Sequence, residues 1–488
     1  MQTEYRELSA GIIEKYGEEI LVETSVGTAD RGGAEKVLSL EAEAKLTGVE
    51  LLDKEAEVSG KVNYRLLYSD KQHRLCGLDY FKDFKCRVQG EKITPNGKCS
   101  VSFSIPDAEA RIEGDDVTFS AMTEVELTYF GEEERRAVSA VTEAECHVGE
   151  ILTEKVKRSE RSVDLEKSAE VGPGVKKIVL FRTDAVISEI VKKEEENEVK
   201  GEVRASVIYL NEADEAVELL LSLPFVESFE GGEPRDYRAW VKNARIVLTE
   251  EEEGGAVDVE ATLVIEELVY ISHTEKAVLA VCGETHTVKE SEGTLSCRSF
   301  CEQGVYTEPL KGTIPLEVPD AYVAFVRPGC HAVAEIAVEK GAVKVEGVSA
   351  FQVVYLTEGG YDSVQGELPF SYLLPFPTAT GDEGAEVRLL ITDPKASYNG
   401  KELLIEAKVA IAVSLYEMKT GRYLAEAEDG EPIPESEAGI SVYFAESGET
   451  VWQIAKAMGV LPSALIKANP FLSEPLTEDK KVLIFRAK

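Results

Sequence analysis

The stretch Val58-Ser-Gly-Lys-Val-Asn-Tyr-Arg-Leu-Leu-Tyr68 decides how this chain is read. Apolar and polar residues alternate along it, and Val, Leu and Tyr predominate, which is the pattern of a strand with one face buried. The same pattern returns without gaps as Val199-Lys-Gly-Glu-Val-Arg-Ala-Ser-Val-Ile-Tyr209 and Val345-Glu-Gly-Val-Ser-Ala-Phe-Gln-Val-Val-Tyr355. Each copy has glycine third and tyrosine eight residues after it, and Gly60, Gly201 and Gly347 lie 141 and 146 residues apart. Further on, Phe119-Ser-Ala121, Val259-Glu-Ala261 and Ile405-Glu-Ala407 place an alanine 61, 60 and 60 residues after the respective glycine. Seven residues before each alanine stands another glycine: Gly114, Gly254 and Gly400. Upstream, Pro173 and Pro319 each precede their glycine by 28 residues. Coincident markers in three copies define an internal repeat.

Turn chemistry separates the strands. Glu113-Gly114-Asp115-Asp116, Glu252-Glu253-Gly254-Gly255 and Tyr398-Asn399-Gly400-Lys401 fall at equivalent places, as do Asp53-Lys54, Glu195-Glu196-Asn197 and Lys340-Gly341. Each repeat is therefore a run of mostly antiparallel hairpins. Between residues 30 and 425 no long segment has helical periodicity, so a mainly β fold of three tandem sandwich-like or barrel-like repeats is expected. The repeats are placed at 1–150, 151–285 and 286–425. Residues 426–439 hold six acids, two prolines and no base, a composition expected of an extended linker. A separate module, 440–488, follows.

The chain has 488 residues, with 91 acidic and 53 basic side chains and a net charge of −38. Such a surface repels phosphate backbones and anionic membranes, so nucleic acid is excluded as a favoured partner. Apolar runs such as Val409-Ala410-Ile411-Ala412-Val413 do not exceed six residues, far fewer than the roughly 20 a membrane span needs. The N-terminal residues lack a basic and then apolar leader pattern, so a cytosolic chain is expected, with its eight scattered cysteines reduced. The acidity is uneven. Residues 440–488 carry five acids and six bases, net +1, and the preceding 439 residues carry net −39.

In that last module, Ser441-Val-Tyr-Phe-Ala445 alternates as a strand and Val482-Leu-Ile-Phe485 as another. Between them Thr450 is placed to cap a helix whose stripe is Val451, Ile454, Ala455 and Met458, with Gly459 beyond its end. A second helix is expected from about Pro462 to Ala468, ending at Asn469-Pro470. The order is β-α-α-β. Trp452, at the edge of the first helix stripe, is either an interface anchor or packed on the returning strand.

Gly448-Glu-Thr-Val-Trp-Gln-Ile-Ala455, with Val442-Tyr443-Phe444, Gly459-Val460, Leu465-Ile466 and Asn469-Pro470, resembles a LysM domain. The resemblance implies binding of N-acetylglucosamine polymers in a groove walled by Gly448, Glu449 and Thr450 on one side and Asn469, Pro470, Phe471 and Leu472 on the other. Two positions depart from the family: Glu449 replaces the usual aspartate, and Glu478-Asp479-Lys480 replaces the usual Pro-Gly-Gln. Three β repeats ahead of one LysM domain resemble the SipL-type spore-coat morphogenetic proteins, built of tandem SPOCS domains with a terminal LysM domain. That resemblance implies a non-enzymatic scaffold in the mother-cell cytosol at the forespore surface. Its LysM domain would bind the ATPase of the coat basement layer, and other coat proteins would be further partners. The alternative is a peptidoglycan- or chitin-binding protein anchored to wall or cortex.

Enzymatic chemistry finds little purchase in the sequence. Phosphate-loop, Gly-x-Ser-x-Gly and His-Glu-x-x-His patterns are absent. No catalytic, cofactor-binding or metal-binding residue is nominated, and the chain is expected not to be an enzyme. The strongest zinc candidate, Cys282, His286, Cys297 and Cys301, lacks tight paired spacing and an equivalent in the other repeats, so independent thiols are favoured. Acidic runs such as Glu132-Glu133-Glu134, Glu194-Glu195-Glu196 and Glu250-Glu251-Glu252-Glu253 read as solvated turns rather than cation sites.

Overall fold

The computed structural model describes residues 2–171, 175–212, 214–251, 254–434 and 439–485. Among the described residues, eighteen strands precede the C-terminal module and fall into three sets of six. The first set is β1 (Thr3–Gly27), β2 (Ala34–Leu51), β3 (Glu55–Asp70), β4 (Leu75–Gln89), β5 (Lys98–Glu113) and β6 (Asp116–Val141). The second is β7 (Ala144–Val171), β8 (Val175–Lys192), β9 (Glu196–Asn211), β10 (Ala216–Glu230), β11 (Arg235–Glu251) and β12 (Gly254–Gly283). The third is β13 (His286–Pro315), β14 (Tyr322–Glu339), β15 (Ala342–Thr357), β16 (Gly360–Pro375), β17 (Gly384–Tyr398) and β18 (Glu402–Pro432). In every set the first, sixth and fifth strands make one antiparallel sheet, and the second, third and fourth make another. The two sheets bury their apolar faces against each other. Tyr64 of β3 stacks on Phe119 of β6 with ring centroids 5.0 Å apart, Val203 and Val259 share a core in the second unit, and Val345 and Val409 in the third.

The first boundary and the start of the linker differ from those read off the sequence. Units change at Thr142-Glu143 and at Glu284-Thr285, and residues 426–432 complete β18 instead of starting a linker. Ala427 is buried while Glu426 and Glu428 face solvent, so the acid-rich end of β18 is still a two-faced strand; charge count masked the alternation. The markers Pro173, Glu252 and Glu253 lie outside the described residues. Gly114 and Gly400 sit in turns with φ of +70° and +95°, where glycine avoids the Cβ clash.

Gly60, Gly201 and Gly347 occupy the central strands β3, β9 and β15 for a packing reason. Directly across from them on β4, β10 and β16 stand Phe84, Phe225 and Phe370. A Cβ at these glycines would fall 2.5, 2.6 and 2.5 Å from the respective ring. On the other side, β2, β8 and β14 each carry a bulge at the same point, between Leu46 and Gly48, Ile187 and Glu189, and Val333 and Glu335. The glycine, the aromatic ring and the bulge form one repeated device that twists the sheet over its core.

The units are joined at two levels. Beyond their three-stranded portions, β1/β6, β7/β12 and β13/β18 continue as two-stranded ribbons that pack against one another. Phe130, Tyr270 and Tyr416, each nine residues after its repeat alanine, meet there with Phe300; the Phe300 ring lies 4.9 Å from Tyr270 and 5.6 Å from Tyr416. The sheets containing β3, β9 and β15 converge separately through Leu67, Ile208 and Val354, each seven residues after its glycine. Consecutive residues such as Leu67 and Tyr68 are thus both buried, one toward a neighbouring unit and one in its own core. The three units make a closed block.

Candidate functional site

The C-terminal module consists of β19 (Ile440–Ala445), α1 (Val451–Met458), α2 (Pro462–Ala468) and β20 (Lys480–Phe485), with β19 and β20 antiparallel. Local chemistry sets its helix ends. The Thr450 hydroxyl accepts from Gln453 N at 3.2 Å and the Gln453 side chain accepts from Thr450 N at 2.8 Å, a reciprocal cap. Gly459 ends α1 in the left-handed region at φ +61°. Pro462 opens α2, where a missing N–H costs nothing. Val451, Ile454, Ala455, Leu465, Leu476, Val482 and Ile484 form the small core.

The eight residues nominated from the sequence play distinct parts. Gly448, at φ +94°, makes the turn after β19. Glu449 accepts from Tyr443 Oη at 2.8 Å and from Glu446 N at 2.7 Å, pinning that turn and raising the Tyr443 phenol. Thr450 is the helix cap. Asn469 is fully buried: its amide donates to Leu465 O at 3.0 Å and Leu483 O at 2.6 Å and accepts from Leu483 N at 2.8 Å. It ties α2 to β20 and offers nothing to a ligand. Leu472 is half-buried against the module core. Pro470 and Phe471 are exposed, with Lys480 Nζ 5.4 Å from the Phe471 ring centroid.

The two candidate groove walls are laced together. Gly448 N donates to Leu476 O at 2.8 Å, and Leu476 N to Glu449 O at 2.9 Å. Asp479 accepts from Ser447 N at 2.8 Å and Glu474 from Val451 N at 3.0 Å. The departure at Asp479 therefore places a carboxylate on a backbone donor of the opposite wall.

Trp452 stands apart from that loop pair. Its ring stacks on His147 of β7, centroids 4.9 Å apart and planes 14° from parallel. Around it, Lys456 pairs with Glu290 of β13 at 2.5 Å, Ser463 N donates to Glu145 at 2.9 Å, and Cys282 Sγ donates to Val460 O at 3.2 Å. The helical side of the module is docked on the end of the β block. Neither sequence reading of Trp452 anticipated His147, 305 positions away and in another unit.

Burial pushes the Cys282 thiol up to about 11. Cys297 is buried and Cys301 exposed, with separate neighbours: their sulfurs lie 3.8 Å from Leu152 O and Ser299 O respectively. Among the described residues no group of three metal-ligating side chains converges, and no helix is long and apolar enough to cross a membrane.

No curated protein and no solved structure matches the chain. Residues 34–113, which run from the start of β2 to the end of β5, match the family model described as "SipL, SPOCS domain". That match within the first β unit supports a SipL-like family and a role related to sporulation and the spore coat.

Proposed function

We propose that the chain is a non-enzymatic scaffold of the spore coat, working on the mother-cell side of the forespore surface. A rigid β block holds a LysM-like module, and that module binds the ATPase of the coat basement layer. The reading rests chiefly on the SPOCS-domain match in the first unit. It is supported by the β-α-α-β order of the module and by its near-neutral charge beside a body of net −39. Other coat proteins would engage the β block, whose unit surfaces are repeated and give several equivalent contacts.

A pull-down of purified coat ATPase by the full chain tests the reading. The wild type retains the ATPase, and Phe471→Asp, on the exposed part of the second loop, weakens retention at least tenfold. A wild type that does not retain it sinks the proposal. One observation favours glycan binding as a second reading: Phe471 offers an exposed ring of the kind that stacks on sugars. Retention of the full chain on chitin or cortex peptidoglycan, lost in Phe471→Ala, would support it. The lacing of Asp479, Glu474 and Leu476 onto the first loop counts against it, because those backbone donors are already used.

A further inference from the structure

Asparagine is followed directly by glycine twice in the chain, at Asn96-Gly97 and Asn399-Gly400. In that dipeptide the amide nitrogen of the second residue can reach the asparagine side-chain carbonyl, because glycine has no Cβ to block the approach. The fold treats the two pairs differently. Asn399 and Gly400 lie in the exposed turn between β17 and β18. Gly400 has φ +95°, and no other part of the chain comes within 4 Å of the place a Cβ would take. Its N–H meets no acceptor among the described residues. Gly97 N instead donates to Thr94 O at 3.1 Å, and a Cβ at Gly97 would run into the Tyr129 ring.

The Asn399 side chain is held and polarised. Its Oδ1 accepts from Lys401 N at 3.1 Å and from Glu402 N at 3.0 Å, and its Nδ2 donates to the Glu402 carboxylate at 3.3 Å. We propose that Asn399 is a self-modification site, at which the turn converts its own asparagine to aspartate and isoaspartate. Gly400 N bonds to Asn399 Cγ and gives its proton to solvent base. The negative charge that forms on Oδ1 falls on two backbone N–H groups already directed at it, an arrangement that stabilises an oxyanion. Nδ2 takes a proton from water and leaves as ammonia, and the Glu402 carboxylate stabilises the positive charge that builds on it. Water then opens the succinimide ring at either carbonyl. One amide and one water thus give one carboxylate and one ammonium ion, with no oxidant or reductant.

Only the third unit is changed. The equivalent turns of the first and second carry Glu113-Gly114 and Glu253-Gly254, which have no side-chain amide to lose. The new carboxylate stands against Glu402 where a donor stood, and like charges so close repel. The isoaspartyl form also adds a methylene to the main chain of a turn closed by Asn399 N and Glu402 O at 3.2 Å. The β17/β18 hairpin therefore loosens with the age of the molecule.

Peptide mapping by mass spectrometry, with fragmentation that separates aspartate from isoaspartate, follows both asparagines of the full chain during incubation at pH 8. In guanidinium chloride, where only neighbouring residues act, the two convert at similar rates. In the folded chain Asn399 keeps its unfolded rate or exceeds it, whereas Asn96 slows at least tenfold. Glu402→Gln, which keeps an acceptor for Nδ2 but removes the charge, slows Asn399 at least threefold in the folded chain and leaves Asn96 unchanged. An unaltered near-ultraviolet spectrum checks that this variant folds. Folding that slows Asn399 as much as Asn96 overturns the proposal, since the turn would then protect its asparagine. A folded Asn399 that stays an amide while Asn96 converts overturns it too, as does a Glu402→Gln variant that converts at the wild-type rate.

Discussion

Gly60, Gly201 and Gly347 each stand where an added Cβ would lie within 2.6 Å of the phenylalanine ring across the sheet. Their spacing is plain in the sequence, but the reason for glycine is not, because it lies in a phenylalanine 24, 24 and 23 residues downstream. The one-residue difference in the third copy hides the pairing from a fixed-period search. The three cross-strand pairs make it evident. At Gly201 an added methyl overlaps both the Val186 carbonyl and the Phe225 ring, and a backbone carbonyl has little room to give way. Gly201→Ala is therefore expected to destabilise the chain by ~1–3 kcal/mol, the range for overpacking, in urea unfolding. Gly48→Ala, where nothing lies within 4 Å, serves as the control and changes stability by less than about 0.5 kcal/mol. Phe225→Leu introduced with Gly201→Ala recovers part of the loss. Equal stabilities for Gly201→Ala and Gly48→Ala would remove the packing explanation.

At the scale of elements, local signals carried far and stopped where tertiary contacts began. The helix starting after Thr450 and the helix from Pro462 were legible, because a cap residue, an apolar stripe and a proline at the first helical position act within a few residues. Asn469 is expected at a groove wall from its position, yet its amide is bonded to Leu465 and Leu483. The docking of α1 was invisible, since His147, Glu145, Cys282 and Glu290 come from three other strands. That docking has a readable consequence at Cys282, which is 4% exposed beneath the module, with its thiol pushed up to about 11 chiefly by burial. Trp452→Ala removes the stack on His147 and should speed alkylation of Cys282 at pH 8 by tenfold or more, measured site by site by mass spectrometry. Glu290→Lys, which turns the Lys456 ion pair into a repulsion, should act in the same direction. Exposed Cys301 reports reagent quality and is expected to react at one rate in all variants. An unchanged Cys282 rate in both variants would mean that these contacts do not hold the module down.

For the whole molecule, three copies of a β unit are legible in the sequence, but their closure into one block is not. The closing contacts are made by residues that a single-unit reading treats as surplus: the second of two adjacent apolar residues at Leu67, Ile208 and Val354, and the ribbon ends that looked like connections. Charged residues close it too. Arg327 of the third unit meets Glu41 of the first at 2.8 Å and Glu218 of the second at 3.2 Å. Toward the other level, Glu386 of the third unit is met by Arg298 at 2.5 Å, Lys15 of the first unit at 3.1 Å and Arg238 of the second at 3.4 Å. Burial by itself would raise the Glu386 carboxyl, but the three cations outweigh it and hold it down at about 2, against 4.5 for an ordinary glutamate. A carboxylate depressed in the folded state contributes its stabilisation in full above its unfolded pKa and loses it as pH falls toward its folded value. Glu386→Gln should thus cost on the order of 2 kcal/mol at pH 7, less than a fully buried pair because the side chain keeps some solvent contact. The gap to wild type should begin to close near pH 4.5 and vanish only once the pH has fallen below the folded value, where the wild-type carboxyl is neutral like the amide. Because Glu386 bridges all three units, the variant should also loosen the block as a unit, with exchange of backbone amides rising together in β1, β11 and β13. A stability gap that does not change between pH 7 and pH 3 would show that the bridge is not what holds Glu386 charged, and that closure rests on the apolar clusters alone.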